Sequence, residues 1–131
     1  MTPPTGFPFT TGDVLPAASV NELVQFTINS QSGTTYTLAA TDQYQVLVLT
    51  TNSSAKTVSI PTDATTDFAI GTAITILNTG TADTTIQAVT PGTTTVTSAG
   101  ASSAAPKIAQ HRSAVCIKTA ANTWRVVGAV S

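Results

Sequence analysis

Residues 70–88 read IGTAITILNTGTADTTIQA, and this stretch decides the fold class. Ile74 and Ile76 alternate with Thr75, Ile86 and Ala88 flank Gln87, and the run between them holds Asn78, Gly80 and Asp83. Alternation of apolar and polar residues is the pattern of a half-buried β-strand, and Asn, Gly and Asp are turn formers. The stretch therefore predicts a β-hairpin. A loop of about three to five residues centred on Thr81 sets Ile76 opposite Ile86 and Ile74 opposite Ala88 on one face, leaving Thr75 and Gln87 on the other.

Composition extends the β reading to the whole chain. Thr supplies 28 of the 131 residues, charged residues make up only 8%, and helix-favouring Glu, Lys, Arg, Leu and Met are scarce. The length suits one domain with its own core. The hydrophobic 41% is mostly Ala and Val, so each strand pair buries modest area and self-association is expected to add to it. Six acids against five bases create no field that attracts nucleic acid or anionic lipid, and neither partner is expected. The opening MTPPTGFPFT lacks the basic and apolar regions of a secretory signal, and no run reaches the ~18 apolar residues of a membrane span. The expectation is a chain made in the cytoplasm with no membrane contact. One cysteine excludes an internal disulfide.

Working outward from the central stretch, Tyr36, Leu38 and Ala40 alternate with Thr35 and Thr37. In residues 44–50 the apolar positions are consecutive, which predicts the most central strand, with Val46, Leu47, Val48 and Leu49 all in the core. Asn52, Ser53 and Ser54 form a turn, Val58 and Ile60 alternate until Pro61, and 63–67 (DATTD) is a loop. Downstream, Pro91 and Gly92 turn the chain into a thin strand over 93–98, expected at an edge or interface. Residues 99–106 are a loop, and 107–110, 113–119 and 123–130 are the last strands, with Ala121 and Asn122 turning between the final two. The sum is eight or nine strands, an all-β fold: an antiparallel β-sandwich or barrel-like domain over residues 34–131. Its predicted core is completed by Ile74, Ile76, Ile86 and Trp124.

Residues 1–33 read differently. Pro3, Pro4, Pro8 and Pro16 with Gly6 and Gly12 preclude a long regular element, so the chain begins as an extended arm. Phe7 and Phe9, followed by Val14 and Leu15, are the expected docking residues, set against a partner or adjacent subunit; the other reading folds the rings back onto the chain's own β domain. Residues 13–26 predict a short helix of about two turns, and 29–34 a linker.

Raw material for catalysis is sparse. His111 and Cys116 are five positions apart with nothing to orient the imidazole, and Cys116 between Val115 and Ile117 reads as a small buried hydrophobe. A metal site needs more donors than one His, and no cofactor is expected. Asp63 and Asp67 are the candidate ligand or receptor contacts, weighed against a solvated turn, and do not match a dense calcium loop. Asp13 with Glu22 is too sparse for a paired-carboxylate glycosidase. Trp124, Tyr36 and Tyr44 are the flat aromatic faces a sugar or peptide site would use, although Trp124 in TWRVV suits the core. Arg112 and Arg125 are either intersubunit contacts or solvated surface residues. No enzyme is expected.

Three runs, YTLAATDQYQVLVLTTNSSAKTVSIP (36–61), FAIGTAITILNTGTADTTIQA (68–88) and AQHRSAVCIKTAANTWRVVG (109–128), resemble a β domain recurrent in tailed-bacteriophage virion proteins, both tail-fibre tips and small stand-alone structural proteins. The shared features are the strand-ending Pro61, Gly71 before the predicted hairpin, and Trp124 with Gly128. FTTGDVLPAASVNEL (9–23) is similar to the attachment segment that opens such proteins. The resemblance implies a structural role in a virion, in many copies, as a homotrimer, and carries over no catalytic residue. The absence of long fibrous repeats favours a capsid decoration protein whose arm docks on the major capsid protein or another virion protein. The competing expectation is a tail-fibre or tail-tip receptor-binding module whose loops at 61–67 or 99–106 contact host glycan.

Overall fold

The computed structural model describes residues 25–100 and 102–131. Ten strands fill this span: β1 (Thr27–Gln31), β2 (Thr35–Thr37), β3 (Val46–Thr50), β4 (Lys56–Ile60), β5 (Ala73–Asn78), β6 (Thr84–Ala88), β7 (Thr95–Ser98), β8 (Lys107–Ile108), β9 (Arg112–Ala120) and β10 (Thr123–Gly128). One 3-10 helix, Ala40–Gln43, precedes β3. The strands form a six-stranded sheet ordered β1-β3-β5-β9-β10-β7 and a four-stranded sheet ordered β2-β4-β6-β8. The all-β class holds, but the pairing is not the antiparallel one expected. β1-β3, β3-β5, β2-β4, β4-β6 and β10-β7 are parallel; only β5-β9, β9-β10 and β6-β8 are antiparallel.

The central stretch shows why. β5 and β6 do not pair with each other: β5 lies in the six-stranded sheet and β6 in the four-stranded one. The expected hairpin is an arch that carries the chain from one sheet to the other. Ile74, Ile76, Ile86 and Ala88 all lie in one buried cluster, reached from opposite sheets rather than along one. Alternation fixes which side chains are buried, and an arch satisfies it as well as a hairpin does. β1-β2 and β3-β4 make the same crossing, so three arches stack with their strands parallel in both sheets. Leu47 pairs with Thr75 and Lys56 with Thr84, an offset of 28 residues in each sheet.

Asn78 holds the third arch. It is fully buried; its Nδ2 donates to the Ala82 and Ile108 carbonyls, each at 2.9 Å, and its Oδ1 accepts from the Gly80 N–H at 2.9 Å. Gly80 stacks on the second arch so closely that a Cβ there would collide with the Asn52 carbonyl. Lys56 ties the two arches together: it is 2% exposed and its Nζ donates to the Asn52 and Ala82 carbonyls at 2.6 and 2.8 Å. Burial lowers its pKa, with the Asp83 charge opposing.

Of the predicted core, Val48, Ile74, Ile76, Ile86 and Trp124 are buried, Val46 packs partly buried against them, and Leu47 and Leu49 are half-buried. β3 is not the central strand; it is second from the edge, between β1 and β5. Its consecutive apolar residues serve the core with Val46 and Val48 and the outer face of the sheet with Leu47 and Leu49. The stretch expected as a linker begins with strand: Thr27–Gln31 is the sheet's edge, so the β domain reaches further towards the N-terminus than residue 34. β7 occupies the other edge, and β9-β10 turn through Ala121 and Asn122, the latter at φ 47°. Phe7, Phe9, Val14 and Leu15, and most of the predicted helix, lie outside the described residues.

Candidate functional site

The loop between β4 and β5 carries Asp63 and Asp67, and the structure brings both to one cation. Lys118, third of the inward positions of β9 after Ala114 and Cys116, is 2% exposed. Its Nζ sits 2.8 Å from Asp63 Oδ1 and 3.1 Å from Asp67 Oδ1, and donates to the Phe68 carbonyl at 2.6 Å. Burial pushes the Lys118 pKa down, but the hydrogen bonds to Asp63 and Asp67 outweigh it and the net shift is upward. The Lys118 hydrogen bond holds Asp63 below the usual carboxylate value, against the opposing effect of desolvation. Asp63 is therefore an anchor for the loop. The Asp67 side chain is 79% exposed and faces an open groove of about 560 Å³, whose other walls include Gln43, Ile70 and Ala121.

A second buried polar cluster clamps the first arch. Asp42, 1% exposed, accepts from Tyr36 Oη at 2.6 Å, from Asn29 Nδ2 at 2.9 Å and from the Ala39 N–H at 2.8 Å. Burial, then the Asp42 carboxylate, pushes the Tyr36 pKa up to about 12. Its hydroxyl is thus committed to the fold rather than to a ligand. Tyr44 stands 70% exposed. Trp124 is fully buried, with its ring 5.4 Å from that of Phe68 at 87°, and its Nε1 has no hydrogen-bond partner among the described residues.

His111 and Cys116 are not brought together. His111 is exposed at φ 63°, and its N–H donates to the Asn78 carbonyl. Cys116 is buried between the sheets, and burial raises its pKa to about 12. Among the described residues, no three side chains of His, Cys, Asp or Glu gather as a metal site, and no helix is long and apolar enough to cross a membrane.

Sequence reasoning missed Lys56, Lys118 and Asp42. The first two were within reach: in KTVSI and AVCIK the alternation sets each lysine on the same side as its buried neighbours. Asp42 carried no such signal, because it lies in a 3-10 turn.

The outer faces of the two sheets differ sharply. Registered rows on the four-stranded sheet read Thr35-Thr57-Thr85-Lys107 and Thr37-Ser59-Gln87, without an apolar residue. On the six-stranded sheet one row reads Ile28-Leu47-Thr75-Val115-Val127 and the next Ser30-Leu49-Leu77-Ser113. Ile28 is 53% and Val127 49% exposed. No family model, curated protein or solved structure matches the chain.

Proposed function

We propose that the chain is a structural protein of a tailed-bacteriophage virion, a homotrimeric capsid decoration protein that docks on the major capsid protein through its N-terminal arm. The observation that carries this reading is the use the fold makes of its reactive groups. Lys56, Lys118, Asp42 and Asp63 all bind the chain to itself, and Cys116 is buried, while Thr, Ser, Gln and aliphatic residues make up the outer faces of the sheets. Such a body suits packing and display rather than turnover, and we read it as a non-enzymatic β-sandwich. Two large rings on a Pro-rich arm make Phe7 and Phe9, followed by Val14 and Leu15, the docking residues of this reading, and the resemblance of residues 9–23 to an attachment segment supports a place in the virion after synthesis in the host cytoplasm.

The test is removal of residues 1–14. The truncated chain is expected to keep its fold and oligomeric mass and to lose binding to purified particles. Retained binding contradicts docking through the arm. The second reading, a tail-tip module contacting host glycan, draws on the open groove beside the exposed Asp67; glycan binding abolished by Asp67→Ala would favour it.

A further inference from the structure

We infer that the outer face of the six-stranded sheet is where a second copy of this chain seats. The inference rests on the homo-oligomer in the reading above and goes further, naming the surface and its register. The two sheets are built from the same arches, so their outer faces would be alike if both met water. They are not alike. The four-stranded face is Thr, Ser, Gln and Lys throughout, as solvated strands should be, whereas the row Ile28-Leu47-Thr75-Val115-Val127 is apolar at four of its five places. Leu49 and Leu77 in the next row widen the patch. Apolar side chains gathered on one outer sheet face, with Ile28 and Val127 about half exposed, point to an interaction site on a folded protein.

Symmetry and size point to a second copy as the occupant. The row is apolar at both ends and polar at its middle, Thr75 on β5. Turning one copy about an axis near Thr75 sets the Ile28-Leu47 wing of one chain against the Val115-Val127 wing of another, apolar on apolar, whether two or three copies close the ring. Six strands spaced about 4.8 Å apart and five or so residues long present about 500 Å² per copy, or about 1,000 Å² for two, the size at which specific interfaces begin. The outward positions of this sheet carry one charge, Arg125, and no carboxylate, so little charge must be desolvated.

A crosslink tests this directly. Ile28 and Val127 stand four strand spacings apart in one chain, roughly 19 Å, beyond the ~7 Å that a disulfide can bridge. The double variant Ile28→Cys with Val127→Cys is therefore expected to form covalent multimers on mild oxidation, while Thr35→Cys with Lys107→Cys on the polar face stays at single-chain mass. Because both sites are exposed, folding is checked by an unchanged thermal transition. In parallel, Val127→Lys should weaken association of the otherwise intact chain by roughly a hundredfold, since it buries an unpaired charge. If the wild type is oligomeric and yet the double variant forms no disulfide between positions 28 and 127, or Val127→Lys leaves the oligomeric mass unchanged, this face is overturned while the oligomer stands. A wild type that sediments as a monomer at every concentration overturns both, and leaves the patch to residues 1–24 or to another virion protein.

Discussion

Asp63 and Asn122 bind each other twice: the Asp63 N–H donates to Asn122 Oδ1 and the Asn122 N–H donates to Asp63 Oδ2, both at 2.9 Å. The β4-β5 loop is thereby fastened to the β9-β10 turn, with Lys118 bridging the same carboxylate from below.

Asp63→Asn is expected to cost about 2–3 kcal/mol, because buried Lys118 loses its nearer carboxylate. Asp67→Asn, at an exposed partner, is expected to cost no more than ~0.5 kcal/mol. Urea unfolding of the two variants checks the contrast, and equal losses would contradict the assignment of Asp63 as the anchor.

The same cluster sets a pH dependence. The folded Asp63 pKa is depressed, so its contribution is present above the unfolded value of 3.8 and disappears as pH falls through the lower folded value. The folded Lys118 pKa is raised, so its contribution is complete below 10.5 and is lost as pH rises through the higher folded value. Stability from this cluster should be flat between those limits, and Asp63→Asn should remove most of the acid-side loss.

Tyr36 should ionise at about 12 rather than 10.0. Ultraviolet titration in a Tyr44→Phe background isolates it. Folding stability should decline between those two values, since the folded state holds the phenolic proton more tightly.

Gly80→Ala is expected to destabilise by about 2–4 kcal/mol, because the added methyl meets backbone of the neighbouring arch rather than a side chain that can swing away. Native Cys116 should resist thiol reagents and react only when the sheets separate, which makes its labelling rate a probe of global opening.

The period-two pattern made burial legible and left pairing open. Ile74, Ile76 and Ile86 face inward as their alternation requires, yet nothing in 70–88 distinguishes two strands side by side from two strands face to face. The distinguishing clue is the 28-residue offset between β3-β4 and β5-β6, and it is faint: between residues 46–60 and 74–88 only Leu49/Leu77, Thr51/Thr79 and Thr57/Thr85 are identical. What repeats is an arch with small residues at its bend. Leu47 and Leu49 misled for a related reason, since a strand apolar on both sides reads as central whether its second side meets core or another molecule. The role of Asp63 depended on a lysine more than fifty residues away, a contact that only the fold supplies.

The most direct measurement of the central claim is the amount of this chain relative to the major capsid protein in purified phage particles, by quantitative mass spectrometry. The account predicts copies in fixed proportion to the capsid protein, as a shell-wide decoration requires. A ratio corresponding to one or a few tail assemblies per particle, or absence from particles altogether, would contradict it.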